Sequence, residues 1–127
     1  AESTALLDGG HNPDAGAAIA NALKDSEPVH VIIGMLKNKD AIGFLTPFAD
    51  QIASVHAVPI PGHEHHDPKD LCLWVQEQLG VKHADPVDNV MAAMQRLAER
   101  SQPANILICG SLYLAGEVLR LNAETPT

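Results

Sequence analysis

Cysteine, positive charge and long apolar runs are all scarce in this 127-residue sequence. The two cysteines, Cys72 and Cys109, lie far apart and neither belongs to a CxxC pair, so neither a disulfide framework nor a zinc site is indicated. Both are expected as buried thiols. Eight Lys and Arg stand against sixteen Asp and Glu, a net charge of -8. That balance repels phosphate backbones and anionic lipid, so neither nucleic acid nor a membrane is an expected partner. No stretch approaches the roughly 18 uncharged apolar residues of a membrane-spanning helix. The first residues carry neither the basic start nor the apolar run of a signal peptide, and the expected compartment is the cytoplasm. Nucleotide motifs are missing too. There is no Gly-x-x-x-x-Gly-Lys-[Ser/Thr] loop and no Gly-x-Gly-x-x-Gly after the first strand candidate, so a complete nucleotide site is not encoded.

What remains is the composition of a folded domain, with 46% hydrophobic and 19% charged residues and nine Gly and nine Pro dispersed along the chain. A single domain over residues 1–127 is expected. Short β-branched runs alternate with longer helical patterns, the signature of an α/β fold with a mostly parallel sheet flanked by helices. The strand candidates are Ala5 to Leu7, Val29 to Ile33, Ile52 to Val58, Val81 to Ala84 and Ile106 to Cys109. Ala15, Ala18, Ile19, Ala22 and Leu23 follow the spacing of one helix face, as do Val87, Val90, Met91, Met94 and Ala98. Asn12-Pro13, Asp67-Pro68 and Asp85-Pro86 read as helix starts, with the Asx side chain capping free N–H groups and proline at the first helical position. Shorter helices are expected after Asp40, with Ile42, Leu45 and Phe48 inward, and after Ser111, with Leu112, Ala115 and Leu119 inward.

A sheet of this kind binds ligands outside the carboxyl ends of its strands. The segments leaving those ends are Asp8 to Pro13, Gly34 to Asp40, Pro59 to His66 and Gly110 to Gly116, all expected on one rim. Asp8 ends a strand, two glycines follow, and His11 lies close enough for a carboxylate to fix its tautomer or raise its pKa. The same residues also suit a plain βα turn, and spacing leaves both readings open. Gly110-Ser111 offers a hydroxyl beside free helical N–H groups, a set suited to a carboxylate, or simply a serine cap. No Gly-x-Ser-x-Gly elbow surrounds Ser111, which speaks against a serine hydrolase. Lys37 and Lys39 could meet an anion, with Asp40 beside them, or form a solvated run with Asp40 as a cap. His63-Glu64-His65-His66-Asp67 has metal-ligand chemistry, yet consecutive loop residues rarely converge on one ion, so a solvated loop without a metal is expected.

Taken together, Asp8-Gly-Gly-His-Asn-Pro13, Gly34-Met-Leu-Lys-Asn-Lys-Asp40 and Gly110-Ser-Leu-Tyr-Leu-Ala-Gly-Glu117 strongly resemble the C-terminal domain of folylpolyglutamate synthase and dihydrofolate synthase, members of the Mur ligase superfamily. The likeness runs through nearly the whole chain in the same order. Gly10 stands where the family usually has alanine, and Asn38 where an acidic residue is more usual. The resemblance implies a Rossmann-like three-layer domain excised from a larger two-domain enzyme. That enzyme would be an ATP-dependent ligase that phosphorylates a dihydropteroate or reduced folate carboxylate, which L-glutamate then attacks. ATP and Mg2+ are the implied cofactors, with the phosphate loop and Mg2+ ligands in a missing N-terminal ATPase domain. By the same resemblance Asp8 binds the nucleotide, His11 is catalytic and near the incoming glutamate, and Ser111 holds that glutamate. Lys37, Lys39 and Asp40 are lesser candidates. The alternative is a stand-alone, non-catalytic Rossmann-like module binding a small anion, with a metal on the His-rich loop as its variant.

Overall fold

The computed structural model describes residues 4–8, 12–100, 105–111, 114, 116–117 and 119–120. Five strands, β1 (Thr4–Asp8), β2 (Val29–Ile33), β3 (Ile52–Ala57), β4 (Ala84–Pro86) and β5 (Asn105–Cys109), form one sheet in the order β1-β5-β2-β3-β4. Every pairing is parallel. β2 is buried at all five positions, as a strand covered on both faces must be. The helices are α1 (Pro13–Ala22), α2 (Ala41–Leu45), α3 (Pro68–Leu79) and α4 (Val90–Ala98), with a 3-10 helix over Thr46–Gln51. Helical positions recur at 114, 116–117 and 119–120. Among the described residues, no helix is long and apolar enough to cross a membrane.

Two of the three expected caps form. Asn12 accepts from the Ala15 N–H at 2.9 Å and Asp67 from the Lys69 N–H at 2.9 Å, each followed by proline. Asp40 caps α2 through the Gly43 N–H at 2.8 Å. The third differs. Asp85-Pro86 belongs to β4, which replaces the strand expected over Val81 to Ala84. The Val87 N–H donates to the Ala57 carbonyl at 2.8 Å, so β3 holds this segment extended, and α4 starts later, capped by Asn89 on Ala92 at 2.8 Å.

Side chains of β2, β3 and β5 alternate between two cores. One joins Val31, Ile33, Val55 and Leu107 to Ile19, Phe44, Leu45, Phe48, Leu71 and Val75 from α1, α2, the 3-10 helix and α3. Phe44 and Phe48 meet edge to face at 5.5 Å across the junction where Pro47 ends α2. The other joins Ile32, Val58, Ile106 and Ile108 to Val90, Ala93 and Leu97 of α4 and to Leu114. The result is three layers, with both cysteines buried. Burial pushes the Cys72 thiol up to about 11, which keeps it protonated.

The helix faces hold in part: Ala15, Ile19 and Leu23, and Val87, Val90 and Met94, pack on the cores as expected, while the rest of each stripe does not. In α1, Gly16 and Ile19 point inward while Ala18 and Ala22 are exposed. In α4, Val90, Ala93 and Leu97 point inward while Met91 and Ala98 are exposed. After Asp40, Leu45 and Phe48 are buried as expected, but Ala41 and Phe44 take the place given to Ile42. Leu119, expected inward, is 58% exposed, and Leu114 is buried instead; Leu112 and Ala115 lie outside the described residues.

The orientation of α1 rests on Gly16, where an added Cβ would lie 2.0 Å from the Phe44 carbonyl oxygen. In an exposed helix interior, Gly to Ala gains up to about 1 kcal/mol. Here the clash is with backbone, and overpacking of about 1–3 kcal/mol outweighs that gain. Gly16→Ala is expected to lower the denaturant midpoint, and a raised midpoint would show that α1 slides off α2 freely.

Candidate functional site

The rim is built by register. Asp8 pairs with Cys109, Cys109 with Ile33, Ile33 with Ala57 and Ala57 with Pro86, so the carboxyl ends of all five strands lie on one line. β5, inserted between β1 and β2, sets its end at Cys109 between Asp8 and Ile33, with Gly110 beside Gly34. Gly110 has φ +100°, and an added Cβ would lie 2.6 Å from the Gly34 carbonyl oxygen, so only glycine fits this exit. The Gly34 N–H in turn donates to the Cys109 carbonyl. Asp8 closes β1, Ser111 is buried at 3% exposure, and His11 lies outside the described residues. Farther along, a cleft of about 360 Å³ opens between Pro59–Pro61, the start of α4, and Leu114 and Glu117.

The second and third rim segments are tied together. The Lys37 N–H donates to the Glu64 carbonyl, the His66 N–H donates to the Met35 carbonyl, and Leu36 bridges His65. The His66 imidazole also bonds through Nε2 to the Lys39 carbonyl at 2.6 Å and meets Trp74 edge to face at 5.6 Å. The His-rich loop is therefore pinned to its neighbour, not merely solvated, and His66 is one of the residues that pin it. Among the described residues, no group of three or more His, Cys, Asp or Glu is placed to hold a metal ion. Lys37 is exposed and Lys39 half-buried, while the Asp40 carboxylate is engaged as the α2 cap.

One cluster escaped the sequence reading. On the face of the sheet covered by α4, His30 Nδ1 lies 2.6 Å from Ser54 Oγ, which lies 3.0 Å from His56 Nε2. All three are buried, and His56 Nδ1 has no hydrogen-bond partner. The signal was the polar pair at positions 54 and 56, which alternation puts on one face of an otherwise apolar strand. Burial holds the His30 imidazole below its ordinary pKa, with Arg100 and His56 adding to the effect. Burial also lowers His56, against the pull of Asp85 and with help from Arg96 and Arg100.

A family model described as dihydrofolate synthetase, C-terminal domain, matches residues 1–121. The chain belongs to this family. It is similar, at 34% identity over 119 residues, to a probable bifunctional folylpolyglutamate synthase/dihydropteroate synthase of Haloferax volcanii, covering 91% of this chain and 14% of that one. A folylpolyglutamate synthase of Lacticaseibacillus casei is 32% identical over 125 residues, covering 89% of this chain and 26% of that one. Among solved structures, E. coli FolC in complex with DHPP and ADP aligns with a TM-score of 0.76 at 25% identity, over 98% of this chain and 30% of that one. The chain thus spans less than a third of the length of each of these relatives. In this family domain, the ends of β1 and β5 fall side by side on the sheet rim, Asp8 against Cys109.

The buried imidazoles carry a pH dependence of known sign. An unfolded histidine titrates near 6.5, whereas folded His30 and His56 titrate lower. As pH falls through about 6.5, the unfolded chain takes up protons that the fold resists, so stability declines until the folded values are passed. The urea midpoint is expected to be lower at pH 5.5 than at pH 7.5, with a smaller difference in His56→Gln; an equal difference in that variant would assign the effect to other groups.

Proposed function

We propose that this chain is the C-terminal domain of an ATP-dependent ligase that adds L-glutamate to dihydropteroate, to folyl-(poly)glutamate, or to both, through an acyl phosphate. The observation that carries the reading is the family match over residues 1–121, which takes in both rim motifs, with Asp8 and Gly110-Ser111 on adjacent strand ends. The ADP in the complex of the E. coli relative supports a nucleotide in the full-length enzyme. The small share of each relative that the chain spans supports an ATPase domain in cis.

In this reading Asp8 accepts a hydrogen bond from the nucleotide, and His11 lies near ATP and the incoming amine of glutamate. Ser111 helps hold the glutamate carboxylate, and Lys37 and Lys39 add positive charge to the same rim. Asp40 has the smallest part, since its carboxylate already accepts from Gly43. By the family resemblance, the Mg2+ that would neutralise the transferring phosphate is assigned to ligands in the other domain. No step here runs through that ion. This chain's work is to bind, to orient and to close one side of the site.

Ser111 decides between a binding role and a structural one, because its burial suits both. If the hydroxyl serves a charged group, Ser111→Ala in the full-length protein should raise the apparent glutamate constant roughly ten- to a hundred-fold, about 1.5–3 kcal/mol, and move the ATP and folate constants much less. A lowered melting temperature with an unaltered glutamate constant would make Ser111 a cap. Asp8→Ala should chiefly weaken nucleotide use, by about 1–3 kcal/mol for one charge-assisted hydrogen bond. An unchanged ATP dependence would leave Asp8 as a turn residue, as a stand-alone anion-binding module would have it.

A further inference from the structure

Toward the amino ends of the strands, away from the rim, α4 and the sheet enclose a cavity of about 450 Å³ whose polar lining is His30, Ser54, His56, His83, Arg96 and Arg100. The chain carries a net charge of -8, yet two of its three arginines and three of its seven histidines meet here. Among the described residues no carboxylate lines the cavity; Asp85, in register with His56 on β4, is the acid that acts on it. Arg96 sits in the last turn of α4 and Arg100 just beyond its end, and among the described residues neither forms an ion pair. Two like charges facing one cavity repel unless something neutralises them. The dipole at the carboxyl end of α4 favours basic residues there, but it accounts for neither the three histidines nor an orphaned imidazole nitrogen.

That nitrogen is the second observation. His56 is 9% exposed, its Nε2 is taken by Ser54, and its Nδ1 is buried without a partner. In the tautomer where His30 Nδ1–H donates to Ser54 and Ser54 donates to His56 Nε2, the orphan is an N–H donor. A buried donor without a partner is a cost that a bound acceptor removes.

We propose that this cavity is a binding site for a phosphate group, free or as a small phosphomonoester, held by Arg96 and Arg100 with His30, His56 and His83 along its inner wall. A tetrahedral dianion accepts from two guanidinium groups and an imidazole at once, whereas a planar carboxylate is satisfied by a single guanidinium fork. The volume leaves room beyond the phosphate for the carbon side of a monoester. A bound dianion favours the protonated forms of His30 and His56, which burial and the arginines oppose in its absence. The site is independent of the ligase reading, since it lies apart from the rim and uses none of its residues.

The test is NMR of the full-length protein with histidine labelled at Cε1, titrated at constant ionic strength with inorganic phosphate, glycerol 1-phosphate and glutarate. His30→Gln and His56→Gln assign the resonances, and local detection separates this site from phosphate binding at the rim. The expected result is saturable movement of the His30 and His56 signals, with their titration midpoints rising by about one pH unit. Arg96→Gln/Arg100→Gln, changed at exposed positions that leave the core intact, should weaken the response at least about tenfold. Whichever phosphate compound binds more tightly identifies the source. Movement that does not saturate, or that survives the double arginine change, would overturn the site. Equal binding of glutarate would overturn its assignment to phosphate.

Discussion

The insertion of β5 between β1 and β2 is the constraint on which the rest of the molecule depends. A strand that arrives last in the chain is hydrogen-bonded on both sides, to β1 over Thr4–Asp8 and to β2 over Val29–Ile33. Without it, β1 has no partner among the described strands. Its register makes Cys109 the common neighbour of Asp8 and Ile33, and that single alignment brings three strand ends to one place. The close approach of Gly110 to the Gly34 carbonyl follows directly, since the two exits share one strand spacing. The ends of β1 and β5 are therefore a consequence of long-range pairing, and the rim forms only when the whole sheet has formed.

The two faces of the sheet solve different problems. The face under α1, α2 and α3 is closed by aromatic and aliphatic packing, including the pair Phe44 and Phe48. The face under α4 is apolar toward β5 but turns polar where β2 and β3 present His30, Ser54 and His56. A polar chain in that position costs desolvation unless its members satisfy one another. Ser54 does most of that by bonding two imidazoles at once. The leftover Nδ1 is the unpaid part, and retaining it in a core that Val or Leu could fill suggests a use beyond stability.

Much of this was legible locally. Four of the five strands could be read from short β-branched runs, and the capped starts of α1, α2 and α3 because a cap is a contact between residues three or fewer apart. Asp85-Pro86 shows the limit, for the same dipeptide class sits in an edge strand once the Ala57 carbonyl claims the Val87 N–H. The expected helix faces depart from the structure at Ala18, Ala22, Met91 and Ala98, which are exposed, and three of these are alanines, which bury or expose at little cost. In α1 the decision fell to Gly16, chosen by the position of the Phe44 backbone. Asp8 and Gly110-Ser111 stood out as motifs, but their adjacency exists only through β5. The cluster at His30 was legible in half, since positions 54 and 56 share a face by alternation while His30 joins them through the register of β2 on β3.

β4 is three residues long, ends in Pro86 and forms one border of the sheet. A longer strand there would offer a row of free N–H and C=O groups to any passing chain. Proline removes a donor from that row, and the short span leaves little else to template on. The cost is a weak last strand that contributes little pairing energy. The benefit falls outside the folded monomer altogether: a parallel sheet exposed on this side during synthesis or partial unfolding has a blunt border, which works against edge-to-edge growth into aggregates.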